Sequence, residues 1–236
     1  MNREAILSCN MILRQQKLCI FRRLPHLRGL IDMRFSKIIN ISTTAKVSTM
    51  EANKSQLRTL IVGLGNYTMP NTRHSIGMNL VNHMVRELQS SWQKDKGCLG
   101  DVAIATIDGA HQLIFLKPRL FMNVNGQSIL KAVKKFNISA DDIYLIHDDL
   151  DLPLGKFTIK YGGSARGHNG VRSAMNSLQS QAMSRLRIGI GRPTRKAEVT
   201  DYVLSNFTPN EQVTIEGVIE RASKLLLQNI AQPLTT

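Results

Sequence analysis

Leu57-Arg58-Thr59-Leu60-Ile61-Val62-Gly63-Leu64-Gly65-Asn66 is the stretch from which the fold is read. Its apolar run from Leu57 to Leu64 is too short for a helix and ends in closely spaced glycines. It reads as a buried strand entering a tight loop. Ile76, Leu80, Met84 and Leu88 then recur every four residues, with Val81 and Val85 beside them, so a helix follows. Further along, Asp101–Ile107 and Gln112–Leu116 bracket the hairpin dipeptide Asp108-Gly109. A second helix runs from about Gly126 through Ile129, Val133 and Phe136. Ile143-Tyr144-Leu145-Ile146 is a buried strand that stops at His147-Asp148-Asp149. A strand near Lys156–Lys160, a helix across Val171–Leu178 and a strand at Leu186–Ile190 come next. Thr208, Pro209 and Glu211 occupy N-cap, N1 and N3 of a last helix and make a capping box. Alternating strands and helices predict an α/β fold. The expected form is a single domain with a mixed, mostly parallel twisted sheet and helices on both faces.

Working outward, the chain has 236 residues, with 31 Lys+Arg against 17 Asp+Glu and a formal net charge of +14. That excess favours a polyanionic partner. A hydrophobic content of 42% with 7 prolines excludes wholesale disorder. No apolar run reaches the roughly 18–20 residues of a membrane span, so no membrane partner is expected. Three cysteines, Cys9, Cys19 and Cys98, make neither a disulfide framework nor a metal-ligand spacing. Residues 1–50 hold nine basic and two acidic residues, half of the net charge in a fifth of the chain. The chain is therefore divided into a basic leader, residues 1–55, and a domain, residues 56–236. The leader has the composition of a mitochondrial transit peptide. A disordered arm touching nucleic acid, or a cytoplasmic product starting at Met50, are the other readings.

The Gly63-x-Gly65 pair invites a dinucleotide reading, but Thr68 stands at the third glycine position and the fingerprint fails. Asn66 at the strand end either presents its amide to a substrate or stabilises the turn. His74 stands where loop becomes helix, and Asp148 at the end of a central strand is suited to hold its ring. A carboxylate on one imidazole nitrogen sets the tautomer and raises the basicity of the other. With no serine or cysteine placed to attack, direct attack by an activated water is the economical mechanism. Asp148, Asp149 and Asp151 also admit a magnesium reading. Alternate side chains of Leu150-Asp151-Leu152-Pro153 point apart, so turn and loop anchoring is preferred for Asp149 and Asp151. Lys160, Arg166, Arg172, Arg185, Arg187 and Arg192 read as a phosphate-binding face. Only 5% aromatic residues argue against a single-strand stacking platform.

Five segments together carry a resemblance. They are Gly63–Asn66 with Thr72-Arg73-His74; Lys117-Pro118 through Phe121-Met122-Asn123; Asp148–Pro153 with Gly155; Gly162–Gly170; and Arg185–Pro193. In this order and spacing, from about Leu60 to the last helix, they resemble the bacterial-type peptidyl-tRNA hydrolase family. The resemblance implies a metal-free, cofactor-free and monomeric hydrolase of the ester between peptide and tRNA, contacting the acceptor stem and 3′ end. It makes His74 the general base and Asp148 its partner, with Asn66 discriminating blocked from free aminoacyl groups. Phe121 and Met122 would line an apolar floor, and Asn123 and Asn169 would contact the peptidyl-adenosine end. Lys160 and Arg187 match positions that clamp acceptor-stem phosphates. Two departures stand out. Tyr67-Thr68-Met69-Pro70 shortens the first loop, and Arg166 replaces the usual glycine. A non-catalytic RNA-binding relative is the alternative, against which the joint presence of Asn66, His74, Asp148 and Asn169 counts. A metal- or nucleotide-dependent hydrolase of another class is the third reading.

Overall fold

Leu60, Ile61 and Val62 are wholly buried because their strand has neighbours on both edges and helices on both faces. The computed structural model describes residues 57–231; the leader assigned to residues 1–55 lies outside the described residues. The strands are β1 (Arg58–Gly63), β2 (Gln93–Asp95), β3 (Gly100–Ile107), β4 (His111–Pro118), β5 (Ile143–Asp149), β6 (Phe157–Tyr161) and β7 (Ser184–Gly189). They form one sheet in the order β2-β3-β4-β1-β5-β7-β6. The pairs β4/β1, β1/β5 and β5/β7 are parallel. The pairs β2/β3, β3/β4 and β7/β6 are antiparallel. The sheet is mixed as expected, but parallel pairing is confined to its four central strands and both margins are antiparallel.

Among the described residues, five α-helices accompany the sheet: α1 (Ile76–Glu87), α2 (Gly126–Phe136), α3 (Asn169–Leu178), α4 (Val199–Leu204) and α5 (Pro209–Ala231). Successive side chains of a strand point to opposite faces, and β1 shows the result. Ile61 joins Leu80, Met84, Ile215 and Val218 in a core under α1 and α5. Leu60 and Val62 join Ile129 and Val171 in a second core under α2 and α3. Asp108 and Gly109 take positive φ between β3 and β4, the backbone that a right-twisted hairpin needs. The capping box forms, Thr208 N–H donating to Glu211 Oε2 at 2.8 Å. Among the described residues, no helix is long and apolar enough to cross a membrane.

The chain leaves β1 for the β2–β4 side of the sheet and later returns to place β5 on the other side. Connections therefore diverge above the carboxyl ends of β1 and β5 and leave a crevice there. Gly77 lets α1 press onto this edge. A Cβ at Gly77 would stand 2.2 Å from Ile146 O and 2.6 Å from Leu64 O. The close approach brings the turn Arg73–Ser75, which immediately precedes α1, over the end of β5.

Candidate active site

That turn carries His74, and the last residues of β5 carry Asp148. His74 Nδ1 lies 2.8 Å from Asp148 Oδ1. A second ring converges on the same oxygen, His168 Nε2 at 3.0 Å. His168 is the N-cap of α3, and its Nδ1 accepts the backbone N–H groups of Gly170 and Val171 at 3.1 and 3.2 Å. The lone pair of His168 therefore sits on Nδ1 and its proton on Nε2, aimed at Asp148. With Nδ1–H of His74 also donated to this carboxylate, the Nε2 of His74 holds a lone pair available to a substrate or water. Asp148 is 3% exposed and the His74 side chain 12%. Burial pushes the Asp148 carboxyl upward, but the adjacent His168 and His74 rings outweigh it and hold the group well below the usual carboxylate range. The acid stays ionised.

His147, beside it on β5, is different. Burial and the neighbouring His168 push its pKa down to about 3, so this ring stays neutral. Its Nδ1 donates to Asp148 O, and its Nε2 has no partner among the described residues. The His74 turn is anchored by Arg73, which donates to both carboxylate oxygens of Glu211 at 3.0 and 2.8 Å. The Arg73 guanidinium also lies over the rings of Tyr202 and Phe207. His74 and the anchor of its turn are thus adjacent residues.

A cavity of about 480 Å³ opens at this point, lined by His74, Asp148, His168, Asn169, Arg166 and Arg192, with Val199, Val203 and Leu204 of α4 as an apolar wall. Asn66, Phe121, Met122 and Asn123 lie outside that wall. Asn66 is half-buried, and its backbone N–H donates to Ser75 Oγ at 3.0 Å. Phe121, expected in an apolar floor, is 77% exposed. It is a projecting aromatic face, because the extended residue before the turn Met122–Val124 directs it away from the sheet. Met122 is buried core: its Sδ accepts from Asn125 and packs against Gly170 at the start of α3. Asn123 is exposed, as is Asn169 on the cavity rim.

The basic face needs correction. Arg187 Nε donates to Asp149 Oδ2 at 2.6 Å, and its side chain is only 12% exposed. Its charge is neutralised inside the protein, which removes the free guanidinium expected of a phosphate clamp. Arg185 is buried and donates to the carbonyls of Gly163 and Ser164, bracing the glycine-rich loop from below. Lys160, half-buried on the edge strand β6, has no carboxylate within ion-pair distance among the described residues. Asp149 and Asp151 serve as anchors. Asp149 accepts the backbone N–H of Asp151 at 2.8 Å, and Asp151 pairs with Arg166 and Arg192.

His74, Asp148 and His168 are also the cluster with metal-ligand chemistry, their donor atoms lying within 4.8 Å of one another. Each nitrogen–oxygen separation is that of a hydrogen bond with its proton in place, so a cation would have to displace both ring protons. The geometry instead organises one basic imidazole. Sequence reading missed His168, Arg73 and Glu211. The signal for His168 was its N-cap position before α3, where a side-chain acceptor is wanted. For Arg73–Glu211, 138 residues apart, sequence carries no local signal.

A buried, ionised carboxylate backing an imidazole at the carboxyl ends of parallel strands is the arrangement that an enzyme working through a base-activated water requires, here on a mixed α/β sheet. Cys98 offers no nucleophile, since burial pushes its thiol up to about 11. The family model described as peptidyl-tRNA hydrolase matches residues 60–236. A probable peptidyl-tRNA hydrolase of Mus musculus is 48% identical over 182 residues, covering 76% of this chain and 89% of that protein. A peptidyl-tRNA hydrolase of Rickettsia bellii is 38% identical, covering 72% and 94%. The crystal structure of peptidyl-tRNA hydrolase from Acinetobacter baumannii superposes with a TM-score of 0.68 at 34% identity, over 75% of this chain and 92% of that one. The chain belongs to the peptidyl-tRNA hydrolase family.

Proposed function

We propose that this chain hydrolyses the ester joining a peptide, or an N-blocked amino acid, to the 3′ end of tRNA. The observation that carries the reading is the single oxygen of Asp148 receiving both His74 and His168. A water hydrogen-bonded to His74 Nε2 gives up its proton as its oxygen attacks the ester carbonyl. The tetrahedral intermediate collapses, the ester C–O bond breaks, and the proton held on His74 passes to the departing ribose oxygen. Products are the free peptide carboxylate and tRNA. Asn169 on the rim supplies an amide donor for the carbonyl end, where a well-aimed donor lowers the barrier by about 3–4 kcal/mol. The relatives named as hydrolases support this reading over a non-catalytic RNA binder.

His74→Ala tests it. Turnover of N-acetyl-aminoacyl-tRNA should fall by about 10²–10⁴ while tRNA binding persists. Near-parental hydrolysis by the variant would sink the mechanism. A monomer is the oligomeric state proposed for this enzyme, checked by light scattering. The acid-poor, arginine-rich composition of residues 1–50 supports a mitochondrial address, and mass spectrometry of the mature N-terminus reads it directly.

A further inference from the structure

Two arginines stand at the mouth of the catalytic cavity and share one carboxylate. Arg166 Nη2 donates to Asp151 Oδ2 at 3.0 Å, and Arg192 Nη2 to Asp151 Oδ1 at 2.6 Å. Both side chains are about half exposed, at 48% and 51%. Each guanidinium has five N–H donors in a rigid fork. Neither Arg166 nor Arg192 makes another side-chain hydrogen bond among the described residues. The trio carries a net charge of +1, whereas the neighbouring pair Asp149–Arg187 is neutral. The two arginines arrive from different segments, the Gly162–Gly170 loop and the turn after β7. Asp151 sets their spacing by engaging one with each of its oxygens.

The backbone supplies an independent observation. Arg166 has φ of +45°, in the left-handed region where glycine is at ease and a long side chain is not. Glycine is therefore the substitution at Arg166 that leaves this backbone unstrained.

We propose that Arg166 and Arg192 form a phosphodiester-binding pair that seats the phosphate 5′ to the terminal nucleotide of the substrate, the phosphate nearest the ester. A phosphodiester carries one negative charge and matches the net charge of the trio. Planar guanidiniums recognise phosphate oxygens in a bidentate way. Asp151 keeps its two bonds and holds both forks ready, so little ordering is left to binding. The pair thus registers the 3′-terminal nucleotide against His74, in the same cavity.

This rests on the substrate reading above, and the test separates the two. Two esters are compared, 3′-(N-acetyl-aminoacyl)-adenosine and the same compound carrying a 5′-methylphosphate diester. For the parent enzyme, the phosphate should lower KM about tenfold or more. In R166G, which suits the left-handed backbone, and in R192A, the ratio of the two KM values should fall close to one. A ratio near one in the parent, or its retention in either variant, overturns the pair. So does an advantage that follows an acidic side chain on the acyl group instead of the phosphate. If the parent hydrolyses neither ester, the proposed function stands or falls with turnover of N-acetyl-aminoacyl-tRNA, and the pair is judged by titration with adenosine 5′-methylphosphate. Binding that both variants lose upholds it, and absent or unchanged binding overturns it.

Discussion

One carboxylate oxygen sets the state of two rings, and this gives sharp expectations for single side chains. Asp148 stays ionised because two ring N–H groups face its Oδ1. Asp148→Asn can keep an acceptor oxygen facing both rings but loses the negative charge, so a proton gained by His74 is no longer stabilised by a buried anion. Steady-state kinetics should show kcat lowered by about 10²–10⁴ with KM little moved. A selective rise in KM would mean that Asp148 binds rather than organises. His168 has two separable duties, capping α3 and donating to Asp148. Asparagine is a good N-cap, so His168→Asn should keep thermal stability and still lower kcat. His168→Ala should do both harms, losing about 1 kcal/mol for the cap. Parental kcat in the asparagine variant would reduce His168 to a cap.

Elements deliver these side chains, and their close approaches are the vulnerable points. Gly77 sits where α1 meets the carbonyls closing β1 and β5. Gly77→Ala should cost about 1–3 kcal/mol by overpacking and should lower kcat as well, because the His74 turn rides on the start of α1. Strands β6 and β7 place two basic residues with opposite fates. Lys160→Ala should leave the melting temperature alone and flatten the salt dependence of tRNA binding by about 0.9 in log–log slope. Arg187→Ala leaves the buried Asp149 carboxylate unpaired, for which about 3 kcal/mol of stability should be lost. Denaturant titrations and salt-dependent binding separate the two. An Arg187→Ala enzyme of full stability and weakened binding would restore the clamp.

Across the whole molecule, the base is tied to the C-terminal helix. Arg73 is buried, and Glu211 at the start of α5 is its counter-ion. The Arg73 hydrogen bonds, against the smaller opposing effect of burial, hold the Glu211 carboxyl down to about 2, from an ordinary 4.5. A carboxyl depressed on folding stabilises fully above its unfolded value and loses that contribution as pH falls through the folded one. The Arg73–Glu211 contribution should therefore be complete above about pH 4.5 and fade toward pH 2. Glu211→Gln should lower the melting temperature at pH 7, and the gap from the parent should narrow as the pH is taken from 5 to 3. A gap independent of pH would show that the pair adds shape rather than charge.

Local periodicity determined much of this protein. Short apolar runs placed β1 and β5; the Asp108-Gly109 dipeptide placed β3 and β4; the four-residue repeat placed α1; Thr208-Pro209-x-Glu211 marked the start of α5. Each of these signals lies within a few residues, where backbone and side chain interact directly. The meeting of His74 with Asp148 was legible because the loop and strand end that carry them were legible. Strand order and the antiparallel pairing of β6 with β7 were not, since a strand's own pattern is the same whichever neighbour it meets. The three-residue β2 and six-residue α4 are too short to show a period. An arginine reads alike whether solvated or neutralised, so only the tertiary structure separated the internal pairs of Arg185 and Arg187 from the exposed fork of Arg166 and Arg192. Exposure of Phe121 and convergence of His168 on Asp148 were decided there too. Both follow from where distant segments meet in space, and that distance along the chain is what a local pattern does not encode.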